Sequence, residues 1–90
     1  MSQAIVDPIE LRRFAQNLKK FNQELDERMT SLRAQLASLG ATWRDQEHKK
    51  FVEDFEQHMK VIAKYMEATN EHAPYLMRKA ERIEEYLQQR

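Results

Sequence analysis

Ninety residues with one glycine, two prolines and no cysteine make one domain at most, and 15 basic against 15 acidic side chains leave no net charge. Basic residues such as Arg12, Arg13, Lys19 and Lys20 are interleaved with acids along the same segments, which excludes the unopposed basic face of a nucleic-acid partner. The lack of cysteine excludes a disulfide scaffold and a thiolate metal site, and the longest apolar runs, such as Val61-Ile62-Ala63, are too short for a membrane span.

The segment Met1-Ser2-Gln3-Ala4-Ile5-Val6 lacks the basic stretch and long apolar run of a signal peptide, so export, if it occurs, uses a route that needs no cleavable leader. A first helix is predicted over residues 8–39. Asp7 is a good N-cap, Pro8 suits the first helical position, and Glu10 stands three after Asp7 as in a capping box. Its apolar stripe runs Leu11, Phe14, Leu18, Phe21, Leu25, Met29, Leu32, Leu36, Leu39, in steps of three and four. Gly40 suits a left-handed position closing that helix, with Ala41 placed to touch Leu36.

Residues 40–42 are read as the turn and residues 43–88 as a second helix, capped by Thr42 or by Asp45. Its stripe is a heptad pattern: Val52, Phe55, Met59, Ile62, Met66, Thr69, Ala73, Leu76, Ala80, Ile83, Leu87. Pro74 removes a hydrogen bond to the Asn70 carbonyl, which predicts a kink there. The whole chain, 1–90, is thus expected to be one all-α domain, an antiparallel two-helix hairpin.

Folding about Gly40 places Leu32 against Val52, Met29 against Phe55, Leu25 against Met59, Phe21 against Ile62 and Leu18 against Met66. Phe14 then faces Thr69, and Leu11 faces Ala73. In this register the first helix ends opposite Pro74, and Leu76, Ile83 and Leu87 overhang their own hairpin by roughly 20 Å. A second column, Phe51, His58, Tyr65, His72, Lys79, Tyr86, lies one position before the heptad core. Two antiparallel helices cover one seam, so pairing of two hairpins into a four-helix bundle is expected. The predicted dimer interface is Phe51, His58, Tyr65, His72, Leu76, Ile83, Tyr86 and Leu87. The methionines Met29, Met59 and Met66 fall on the core stripes and read as packing, as against an adaptable groove that would also use Met77.

Chemistry is not indicated. His58 and His72 stand fourteen residues apart, roughly 21 Å along one helix, too far to share one ion within a chain. The acid pairs Glu53-Asp54 and Glu84-Glu85 read as solvated faces, and there is no glycine-rich phosphate loop. No catalytic residue, cofactor or metal is expected.

The turn, Gly40 followed by Trp43-Arg44-Asp45, sits between two amphipathic helices. In this layout the chain resembles the WXG family of small helical hairpins associated with type VII secretion, with Asp45 where the family name has glycine. Trp43 reads either as a recognition residue in a turn cleft or as a plug closing the hairpin. The C-terminal tyrosine-to-acid spacing of the family's export substrates is missing: Tyr86 is followed four residues later by Arg90, Tyr75 by Lys79 and Tyr65 by Thr69. The resemblance implies a non-enzymatic interaction protein, made in the cytoplasm and secreted in some cases. Its partner would be a second copy (homodimer), a related helical hairpin, or a larger secreted effector. The alternative is a cytosolic adaptor or assembly module with no part in secretion.

Overall fold

The computed structural model describes residues 6–88; Met1–Ile5, where a signal peptide was sought, and Gln89–Arg90, where the tyrosine-to-acid spacing ends, lie outside them. The described chain is helical: α1 (Pro8–Leu39), α2 (Gln46–Asn70) and α3 (His72–Gln88). α1 runs back along α2 and α3, forming a rod of 69 × 21 × 16 Å. Its radius of gyration of 20.4 Å far exceeds the ~12 Å of a compact domain of this length.

Local chemistry explains the helix ends. Asp7 caps α1, its Oδ1 accepting the Ile9 N–H at 2.9 Å, with Pro8 in the first turn. Asp45, not Thr42, caps α2, accepting the His48 N–H at 3.0 Å. Trp43 and Arg44 therefore precede the second helix instead of beginning it. The long second helix is also interrupted at Glu71, three residues before Pro74. A proline ring crowds the carbonyl four residues back, here that of Asn70. Glu71 closes α2 with a tightened turn, its N–H donating to the Ala68 carbonyl.

Gly40 corrects the reading of the turn. Its φ of −60° and ψ of −17° are right-handed helical, and no described residue has positive φ. α1 simply tightens: Gly40 N–H donates to Ala37 O, Ala41 N–H to Ser38 O, and Trp43 N–H to Leu39 O at 2.8 Å. A Cβ at position 40 would stand 3.2 Å from the Ala37 carbonyl oxygen and 3.8 Å from His48 Cε1. Gly40→Ala is accordingly expected to change stability by less than ~1 kcal/mol, because the alanine's gain in unfolded-state entropy offsets a close but yielding contact. A large fall in melting temperature would restore a special role for this glycine.

With Asp45 as the cap, six residues separate the helices, and the register slides. Arg33 pairs with Glu56, Asn22 with Thr69, and Arg12 with Glu84. Relative to the register expected from the sequence, the second arm is displaced by about one heptad. The overhang does not exist in this structure: α3 lies against the first half of α1, and Ala80 is fully buried. Leu76 and Ile83 are half-buried on the α3 face that carries Ala80, and Leu87 is exposed.

The α1 core line is also rotated. Its buried residues are Ala15, Asn22, Met29 and Leu36, seven apart, with Leu11, Leu18 and Leu25 half-buried beside them. Phe14 and Phe21, placed by sequence in the seam, stand out in solvent, and Leu32 is exposed too. Side-chain size accounts for the arrangement. Ala15 (1% exposed) and Ala80 (0%) let α1 and α3 approach closely, leaving no space for a phenyl ring. Toward α2 the larger Met29, Met59 and Met66 form the core, with Leu25, Phe55 and Ile62 packed against them. Ala80→Leu should force α1 and α3 apart at a cost of ~1–3 kcal/mol. Amide exchange would show this as faster opening of α3 than of α2.

Candidate functional site: an aromatic flank and a capped turn

The two ion pairs among the described residues establish the sides of the hairpin. Arg12 binds Glu84 through two bonds, Nε to Oε2 at 3.1 Å and Nη2 to Oε1 at 2.6 Å; Arg33 Nη2 lies 3.7 Å from Glu56 Oε1. On α1 the core line is Ala15, Asn22, Met29, Leu36; on the other arm it is Met59, Met66, Ala73, Ala80. Arg12, Arg33 and Glu56 each stand three positions before a core-line residue, and Glu84 stands four after one. At 100° per residue both spacings lie about 40–60° to one side of the core line. Residues one before the core line lie about 100° to the other side. Since the ion pairs show both helices sharing the first side, the residues one before the core share the second.

That second side is aromatic. It holds Phe14 and Phe21 from α1, and Phe51, His58, Tyr65, His72 and Tyr86 from the other arm, all exposed. Phe21 is 53% and Tyr65 58% exposed, so neither ring is needed to close the hairpin. Val61 and Tyr75, also exposed, extend the patch outward. The sequence identified the column on the second arm; Phe14 and Phe21 were missed as surface residues. Nothing in the sequence singled out the column Ala15, Asn22, Met29 and Leu36, because Leu11, Leu18, Leu25, Leu32 and Leu39 recur at the same seven-residue interval and are more apolar.

The turn motif is a single knot. Arg44 Nε donates to the Gly40 carbonyl at 3.2 Å, placing a cation at the negative end of α1. Asp45 caps α2, and the half-buried Trp43 ring packs edge-on against His48 at 5.0 Å and tilted against Phe51 at 5.7 Å. Phe51 in turn meets Phe55 at 6.1 Å, so an aromatic chain runs from the turn to the core. The hollow beside it, about 310 Å³, is lined by Trp43, Arg44, Asp45 and His48. His48 Nε2 is buried there with no hydrogen-bond partner.

Glu84, read from sequence as part of a solvated face, instead carries half of the stronger ion pair. The hydrogen bond from Arg12, more than its bare charge, holds the Glu84 carboxyl below the usual glutamate value, against a smaller opposing effect of burial. A folded value lowered in this way adds stability above the unfolded pKa, and that contribution disappears as pH falls through the folded one. Glu84→Gln should therefore flatten the acid side of the stability profile, removing a contribution that is full above the ordinary glutamate value of 4.5 and fades as pH falls below it. The effect is small, since both side chains remain about one-third exposed. Among the described residues no three His, Asp or Glu side chains converge as a metal site would need, and no helix is long and apolar enough to cross a membrane.

The profile of the family described as "WXG100: Proteins of 100 residues with WXG" matches residues 3–86. The fold is that of the secreted protein EsxB from Bacillus anthracis strain Sterne. The wild-type crystal structure superposes with a TM-score of 0.79 at 25% identity, covering 93% of this chain and 97% of that one. A single-substitution mutant of the same protein gives 0.82 at 25% identity, over 94% and 96%. No curated protein is significantly similar in sequence.

Proposed function

Because this chain belongs to the WXG100 family, we propose that it is a non-enzymatic interaction factor of type VII secretion that works as a dimer. The exposed aromatic flank carries the reading. Phe14, Phe21, Phe51, Tyr65 and Tyr86 form a surface that water solvates poorly, on a hairpin whose buried apolar residues, among the described ones, are Ala15, Met29, Leu36, Met59, Met66 and Ala80. A core this thin is marginal for independent stability. A second hairpin laid on the flank completes a four-helix bundle and buries the rings, and an isologous two-fold pairing is the common solution. His58 and His72 lie in the same column and belong to the interface, whereas Leu76 and Ile83 serve the intrachain seam.

Tyr86 lacks an acid four residues on. A partner, either a second copy, a related hairpin or a larger effector, would lie on the flank, with this chain made in the cytoplasm. Light scattering on the protein expressed alone tests the dimer. A dimer of about twice the 10.9 kDa chain mass is expected, and a compact, stable monomer at micromolar concentration would assign the flank to a different chain. Secretion is tested separately: the protein should reach the medium only of cells whose type VII secretion system is intact. A dimer that stays wholly in the cytoplasm would favour the adaptor reading.

A further inference from the structure

The side opposite the aromatic flank is not closed along its length. On α1 the column at seven-residue intervals is Arg12, Lys19, Asp26, Arg33; across from it stand Glu56, Ala63, Asn70, Met77, Glu84. The ends are zipped, Arg12 to Glu84 and Arg33 to Glu56. Between them the second arm offers no charge in this column, and among the described residues neither Lys19 nor Asp26 is in an ion pair. Neither has an opposite charge three or four residues away on its own helix. A groove of about 970 Å³ opens there, with small and flexible side chains, Ala15, Ala63, Ala73, Met66 and Met77, along its apolar surface.

Asn22 lines the groove midway between Lys19 and Asp26 and is 3% exposed. Its amide donates to Thr69 Oγ1 at 3.1 Å and to Asn70 Oδ1 at 2.7 Å, but its own Oδ1 is buried with no donor. A buried acceptor left without a donor is costly, and such a group calls for a donor from outside. The groove thus presents a cation, an unsatisfied acceptor and an anion in a row, over about two helical turns. Lys19 and Asp26 lie about 10 Å apart along the axis.

We propose that this groove is a second docking site, separate from the aromatic flank, for an amphipathic α-helix of a partner protein. That helix carries an acid and a base seven residues apart on a face of small apolar side chains. The acid meets Lys19, the base meets Asp26, and a polar side chain between them donates to Asn22 Oδ1. Apolar contact with Met66 and Met77 supplies adaptable packing. Whether the aromatic flank pairs or not, this face stays accessible, so one hairpin can hold two partners at once.

The test uses the full chain, ¹⁵N-labelled, and two capped 18-residue helical peptides with an alanine/leucine face. One bears Glu and Lys seven residues apart; the other bears Glu at both positions. The Glu/Lys peptide should shift the amides of Lys19, Asn22, Asp26, Ala63 and Met77 and leave Phe21 and Tyr65 unmoved. Asp26→Lys, at an exposed position that does not threaten folding, should weaken the Glu/Lys peptide and strengthen the Glu/Glu peptide, each by roughly fivefold. A peptide docked in either direction obeys the same rule, because the preference depends on charge composition and not on order. Shifts confined to the aromatic flank, no binding at millimolar peptide, or an Asp26→Lys protein with unchanged preference would each overturn the proposal. So would movement of the groove amides with protein concentration alone, which would assign the groove to a second copy.

Discussion

Phe21→Asp and Tyr65→Asp are each expected to turn the dimer into a monomer at micromolar concentration while leaving the hairpin helical. Both rings are more than half exposed in the single chain, so their loss removes little from the intrachain fold. In the proposed dimer they would be central aromatic anchors, and a carboxylate in their place would be buried without a partner. Loss of at least ~2 kcal/mol of association free energy follows, about thirtyfold in Kd. Sedimentation equilibrium measures the shift, and circular dichroism checks that the helices remain. If either variant stays dimeric with wild-type affinity, the aromatic flank is not the interface.

The second large effect is in the core. Met29→Ala should lower stability by ~2–4 kcal/mol. Met29 is buried where α1 meets α2, among Met59, Met66, Leu25, Phe55 and Ile62, and the structure has few other buried side chains to compensate. For so thin a core this approaches the whole margin of a small domain. Because the proposed dimerisation would stabilise the folded hairpin by mass action, both proteins should gain stability as protein concentration rises, while the difference between them stays the same. Denaturant titrations at 2 and 100 µM separate the two contributions. A Met29→Ala protein with an unchanged midpoint would mean that the three-methionine cluster is not the centre of the fold.

Helix chemistry was legible because it is local. Asp7-Pro8, the heptad of the second arm and the crowding by Pro74 act within one or two turns, and no distant contact competes with them. The column Phe51, His58, Tyr65, His72 was legible as a face for the same reason: spacing alone places those residues together. The Trp43-Arg44-Asp45 turn carried a family signal before its geometry was seen, although the geometry that holds it, Arg44 on the Gly40 carbonyl and Trp43 on His48 and Phe51, was not readable.

Register and rotation were decided by tertiary structure. Thr42 and Asp45 are both adequate caps, and choosing Asp45 lengthens the connection and slides one helix along the other by about a heptad. That slide places α3 against α1 and removes the overhang. Rotation followed from volume: the Ala15–Ala80 region admits close helices only if Phe14 and Phe21 turn outward, whatever their hydrophobicity. Sequence by itself determined that this chain is a helical hairpin of the WXG kind with more apolar surface than one hairpin can bury. Only the packing of side chains of unequal size decided which apolar residues close the hairpin and which remain available to a partner.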